Sequence, residues 1–160
     1  MSYPDPRYAG EGGEITATHR HVTTEAEVRS PNRSRAHYLA THAATGGDFG
    51  LYRLDMAPRA GGPSLHFHRS ISESFFVLSG EVMLSDGQGW ITGREGDFLH
   101  VPAGGLHAFA NRSDVPASML LLFAPGAPRE EYFERVAEMN RRGGRELADF
   151  LARHDTFFVE

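Results

Sequence analysis

Gly61-Gly62-Pro63-Ser64-Leu65-His66-Phe67-His68-Arg69-Ser70-Ile71-Ser72-Glu73-Ser74-Phe75-Phe76-Val77-Leu78-Ser79-Gly80 is the stretch whose reading decides the fold. His66 and His68 stand two apart, so on a strand both imidazoles point to one face while Phe67 points to the other. Arg69 to Ser72 give room for a turn. Glu73 then opens a second run, rich in aromatic and branched residues and closed by Ser79-Gly80. The expectation is a hairpin with two nitrogens on one arm and a carboxylate on the other.

A second stretch, Gly96-Asp97-Phe98-Leu99-His100-Val101-Pro102-Ala103-Gly104-Gly105-Leu106-His107-Ala108-Phe109-Ala110-Asn111, supplies another histidine. With His107 the set becomes three neutral imidazoles and one carboxylate. Divalent iron, manganese, nickel, cobalt, zinc and copper all accept such donors. In an octahedral ion these ligands leave positions open, as a catalytic metal requires and a structural one does not. The expected cofactor is therefore one divalent transition metal ion held by His66, His68, Glu73 and His107, provided the two stretches meet in space.

Both stretches resemble the two motifs of the cupin superfamily. The first, G-x5-H-x-H-x3,4-E-x6-G, is matched by His66, His68, Glu73 and Gly80, with the leading glycine displaced, since position 60 is Ala and the glycines are Gly61 and Gly62. The second, G-x5-P-x-G-x2-H-x3-N, is matched by Gly96, Pro102, Gly104, His107 and Asn111. The resemblance spans residues 48 to 124. It implies a mainly β fold, a single antiparallel jelly-roll-like barrel with the four ligands near its mouth. A residue range of 31–126 is expected for that barrel, with an N-terminal arm over 1–30 and a helical extension over 127–160.

Composition bounds the rest. The 160 residues suit one domain with a sizeable core. With 18 Gly and 9 Pro, many short strands and turns are favoured over a helical bundle. There is no Cys, which excludes a disulfide frame and a thiolate ligand and fits a reducing cytoplasm. All 16 basic residues are Arg, so no lysine Schiff base is available. A net charge of -5 argues against a nucleic-acid or anionic-membrane partner. No stretch reads as a signal peptide or membrane span, the longest apolar run being Met119 to Ala124.

In chain order, Ile15 to Thr23 reads as strand-like, with His19 and His21 on a solvated edge, and family resemblance makes this arm a candidate for pairing two copies into a homodimer. His37 and His42 read as surface or barrel-rim residues. Phe49 to Met56, Val82 to Leu84, Trp90 to Thr92, Phe98 to Val101, Leu106 to Phe109 and Met119 to Phe123 read as strands, with Asp86-Gly87-Gln88-Gly89 as a hairpin turn. After Pro125-Gly126 the apolar spacing becomes helical. Pro128, Glu130 and Glu131 mark a helix start, and Arg141 and Arg142 before Gly143-Gly144 mark its end. A second short helix holds Leu147, Phe150 and Leu151. The helices are expected on the outside of the barrel, with a lid over the metal mouth as the alternative. Phe157-Phe158-Val159 is expected to dock in the same manner.

Period-two placement puts Phe75 and Val77 on the face of Glu73, and Phe109 and Asn111 on that of His107. These four are the candidate substrate-binding residues, with ordinary barrel filling as the competing reading for the apolar three. No basic cluster flanks the motifs, although Arg53 or Arg59 is within reach of the mouth. His100 is read as surface or as a support behind the ligands, and His154 is given no role. A cavity walled by aromatic and aliphatic groups suits a small apolar or aromatic molecule. The resemblance extends, less specifically, to the small quercetin dioxygenase-like cupins. It implies a metal-dependent dioxygenase in which Glu73 is also the catalytic base. Two further readings stay open: a metal-dependent cyclase or isomerase that uses no oxygen, and a barrel that binds a small ligand without turnover.

Overall fold

In the computed structural model, which describes residues 2–159, the fold is built outward from one strand, Ala117–Ala124. Its side chains alternate between buried and half-buried along its whole length. That is the signature of a strand with one face on a core. Ala117, Met119, Leu121 and Phe123 point inward.

Numbered along the chain, the strands are β1 (Val28–Arg29), β2 (Arg35–Ala40), β3 (Gly50–Met56), β4 (His66–Phe67), β5 (Ser72–Ser79), β6 (Glu81–Ser85), β7 (Trp90–Arg94), β8 (Phe98–Val101), β9 (Ala108–Ala110), β10 (Ala117–Ala124) and β11 (Phe157–Phe158). One sheet runs in the order β1-β2-β3-β10-β5-β8, a second in the order β7-β6-β9, and β4 pairs with β11. Every pairing is antiparallel. Phe75, Val77, Val82, Leu84, Met119 and Leu121 meet in a single core between the two larger sheets. Each such side chain contributes about 1.5–3 kcal/mol by leaving water. The expected jelly-roll-like barrel is what forms.

Helices α1 (Glu130–Arg142) and α2 (Gly144–Arg153) follow, with Glu130 and Glu131 at the positive end of α1 and Arg141 and Arg142 at its negative end. Gly143 and Gly144, at φ 65° and 60°, make the corner between them. A second small core of Tyr132, Met139 and Phe150 joins the helices. Barrel residues then fix α1 in place. The Phe133 ring lies 5.0 Å from that of Tyr52, the Tyr52 hydroxyl donates to Glu130 at 2.6 Å, and the Tyr38 hydroxyl donates to Glu134 at 3.1 Å.

Several sequence expectations change here. The strand read over Ile15 to Thr23 is irregular and almost wholly exposed, with no neighbouring strand to satisfy its backbone. The hairpin read between His66 and Glu73 is not a paired one. β4 bonds instead to β11 and, through an isolated bridge, to His107, while β5 is taken up by β10 and β8. The helices are not purely external, because α1 walls an internal cavity. Phe157-Phe158 docks as a strand rather than as a helix face. His37 is buried, its Nε2 donating to the Asp55 carboxylate at 2.9 Å.

Candidate metal centre

Backbone pairing brings the two motifs together. His66 and His107 exchange both main-chain hydrogen bonds, at 3.0 and 2.9 Å, and the amide of Gly104 donates to the carbonyl of His68 at 2.7 Å. Glu73, near the start of β5, reaches the same point from the large sheet. His66, His68, Glu73 and His107 are all buried, and each offers one donor atom within 4.8 Å of the others.

Hydrogen bonds behind the ligands fix which nitrogen faces inward. His66 Nδ1 donates to the carbonyl of Ser64 at 2.9 Å, His107 Nδ1 to that of Gly105 at 3.0 Å, and His68 Nδ1 to that of Asp155. A carbonyl only accepts, so each Nδ1 bears a hydrogen, and in the neutral ring each Nε2 presents its lone pair to the centre. Two of those lone pairs face Glu73 Oε2, His68 at 3.0 Å and His107 at 2.9 Å. Acceptor against acceptor at that range repels unless a proton or a cation stands between them. Metal–ligand bonds of about 2.1 Å at right angles place neighbouring donors about 3.0 Å apart, so the donor set fits a transition metal ion. Backbone carbonyls behind metal-binding imidazoles are the usual means of orienting them.

Electrostatics favour positive charge at the same point, between His107 and Glu73. Burial, reinforced by the nearby His107, pushes His66 down to about 4, which keeps it a neutral ligand. Burial pushes His107 down too, but the hydrogen bond and charge of Glu73 outweigh it and raise the net value, while Arg129 pulls the other way. Burial alone raises the Glu73 carboxyl; a proton shared with His107 and His68 across the 2.9 and 3.0 Å gaps overcomes this and holds it far below the usual carboxylate range. Each group is thus tuned by the others, as in a single site.

A cavity of about 420 Å³ opens from this centre, with His66 and Glu73 on its floor. Phe109, Leu121, Phe123, Tyr132, Phe133, Val136 and Phe158 supply apolar walls, so both the barrel and α1 contribute. Arg129 also lines it and is 4 % exposed. Sequence reasoning passed over Arg129 as part of a helix start, because no local spacing links position 129 to position 73. His154 was likewise given no role, yet its carbonyl accepts from Arg129 Nη1.

Of the four candidate substrate contacts, Phe109 lines this cavity. Phe75 lies beneath the centre, its ring 5.8 Å from that of His107 and 5.7 Å from that of Phe109, and Val77 is deeper in the core. Asn111 spends its amide on the carbonyls of Ala57 at 3.0 Å and Val115 at 2.8 Å and accepts from Ser113, which holds the loop before β10. His100 is exposed and bonds Ser74 at 2.9 Å, away from the ligands. Arg53 and Arg59 do not reach the mouth: Arg53 pairs with Asp55 and Arg59 with Asp114.

Solved structures of this shape come from several proteins. The polyketide cyclase RemF from Streptomyces resistomycificus aligns with a TM-score of 0.58 and 22% identity over 70% of this chain and 82% of its own. KdgF from Halomonas sp. aligns with a TM-score of 0.55 and 15% identity over 65% of this chain and 90% of its own. A predicted oxalate decarboxylase from Thermotoga maritima aligns with a TM-score of 0.54 and 19% identity over 57% and 80%. At these identities the likeness is one of fold. No functionally curated protein matches the chain by sequence. No helix of the described residues is long and apolar enough to cross a membrane. Residues 52–123, which hold the three candidate ligand histidines, Glu73 and the strands that carry them, match the family model described as a cupin domain.

Proposed function

We propose that the chain is a metal-dependent enzyme, most simply a dioxygenase, that acts on a small aromatic or enolisable organic molecule held in the cavity above His66, His68, Glu73 and His107. The observation behind it is the set of inward Nε2 lone pairs and one carboxylate on the floor of an apolar cavity. Iron, manganese, nickel, cobalt, zinc or copper held there would supply Lewis acidity and, for the redox-active ions, a route to dioxygen. Glu73 has a second oxygen, Oε1, which makes no hydrogen bond among the described residues and is free to take the proton from an enol or phenol. Phe109, Leu121, Phe123 and Phe133 hold the apolar body of the substrate and exclude water. Phe75 and Val77 support Phe109 and His107 from beneath, and Asn111 fixes the following loop. We further read the protein as a cytoplasmic homodimer, the exposed N-terminal arm joining two copies.

The test is metal analysis of the purified protein followed by oxygen-electrode traces across flavonols, diketones and phenols. Oxygen uptake matched to product formation supports the reading. Equal turnover with oxygen removed would replace the dioxygenase by a metal-dependent cyclase or isomerase. Tight binding without turnover of any kind would leave a ligand-binding barrel.

A further inference from the structure

Arg129 is the one buried charge near the metal centre whose partners do not account for it. Among the described residues only Nη1 finds acceptors, the carbonyl of His154 and, at 3.3 Å, the hydroxyl of Thr156. Nε is fully buried and has no hydrogen-bond partner, and among the described residues no carboxylate forms an ion pair with the guanidinium. The two acidic groups whose charge it feels are engaged elsewhere. Glu73 faces His68 and His107, and the Asp155 carboxylate accepts from the amides of Arg69 and Ser70. Its Cζ sits 5.1 Å from the Phe123 ring and 4.2 Å from the Tyr132 ring, both of them cavity walls.

Charge counting sharpens the point. A divalent ion on three neutral imidazoles and one carboxylate leaves one net positive charge, and Arg129 adds a second in the same apolar enclosure. Burying a cation without a counterion is costly, and a cavity so charged favours an anion. The edge of the guanidinium formed by Nε and Nη2 has the fork geometry that matches the two oxygens of a carboxylate.

We propose that Arg129 anchors the carboxylate of the substrate, so that the molecule taken into the cavity is a small, largely apolar organic acid. The Nε and Nη2 hydrogens grip its carboxylate, and the rest of the molecule lies along Phe109, Leu121 and Phe133 with its reacting end towards Glu73. This rests on the metal-enzyme reading for the direction in which the substrate lies, but not for the anchor itself.

Benzoate and benzamide, alike in shape and different in charge, are suitable probes. Calorimetric titrations of the full-length, metal-stripped protein read the anchor apart from any ion, and the metal content of the same preparations before stripping tests the metal reading separately. Benzoate is expected to bind about tenfold or more tightly than benzamide, and Arg129→Met to abolish that preference. Equal binding of the two probes, no binding of either at millimolar concentration, or a preference that survives Arg129→Met overturns the proposal. Should Arg129→Met fail to fold, Arg129→Lys decides. A lysine keeps the charge without the fork, so a reduced preference supports the anchor and a full one overturns it. Preparations that never hold a metal but keep an Arg129-dependent preference would remove the enzyme reading and leave the anchor standing.

Discussion

The backbone carbonyl of Asp155 accepts the Nδ1 hydrogen of His68, so a residue near the end of the chain orients one of the four candidate metal ligands. The Asp155 side chain strengthens the link by accepting from the amides of Arg69 at 3.0 Å and Ser70 at 2.8 Å. Next to it, β11 pairs with β4 and the Phe158 ring stands 5.4 Å from that of His66.

Asp155→Ala is therefore expected to weaken metal binding by about 10- to 100-fold, the usual cost of losing a group that orients a ligand imidazole. Asp155 has φ 50°, the left-handed region that Asn tolerates and Ala does not. Asp155→Asn also keeps an acceptor oxygen, so its loss should be several-fold smaller. Competition against a chelator measures both. Equal affinity in wild type and Asp155→Ala would show that the tail does not orient His68.

Glu73→Gln separates ligand from base. Three imidazoles remain to hold an ion, while the carboxylate that takes a proton is gone. The variant is expected to retain part of its metal and to lose turnover of an active substrate by about 100-fold or more. Metal analysis and oxygen uptake are measured on one preparation. Uptake at the wild-type rate would remove Glu73 from the proton step.

The cluster of His66, His68, Glu73 and His107 and the barrel around it were legible because both are written locally. His66-x-His68 and Glu73 lie within one short span, and the alternation of β10 is complete over its length. What escaped was long-range. The H-x-H spacing of His19 and His21 looks the same as that of His66 and His68, yet the segment is irregular and exposed and pairs with no strand among the described residues. Asp155 belongs to the site through its bond to His68, and Arg129, held by the carbonyl of His154, through the cavity it lines, both brought there by folding the helices back on the barrel. A helix-start pattern around Pro128 carries no trace of that return.

Acid should act on the metal-free protein through His66. In the native state its value is pushed down to about 4, first by burial and then by His107, against about 6.5 in the unfolded chain. Between those values the unfolded chain takes up a proton that the native state refuses. Stability therefore falls as pH drops from about 6.5 to about 4, by about 3 kcal/mol in all, and His66 contributes no further loss below that. Glu73, with its depressed value, adds a loss that begins near its ordinary range and continues downward. Bound metal should sharpen the response, since ligation needs the neutral imidazoles and acid releases the ion. Melting temperatures of stripped and loaded protein across this range test the sign. A stripped protein that grows more stable from pH 6.5 to 4 would contradict the burial of a neutral His66.

Gly61 and Gly62 stand side by side where the family pattern has its displaced glycine, and the structure gives them different tasks. A Cβ on Gly62 would lie 2.0 Å from the carbonyl oxygen of Phe109 and 2.9 Å from its ring, whereas one on Gly61 meets nothing within 4 Å. Gly61, Gly62 and Phe109 all line the cavity, and the close approach of Gly62 to Phe109 sets the position of an aromatic wall. The obstacle is backbone, which no change of rotamer relieves. Gly62→Ala is expected to cost about 1–3 kcal/mol and to raise the KM of a cavity-bound substrate as Phe109 shifts. Gly61→Ala should stay within about 0.5 kcal/mol of wild type in stability. Melting curves and steady-state kinetics on the pair decide it: two variants that behave alike would mean that the contact between Gly62 and Phe109 does not shape the cavity.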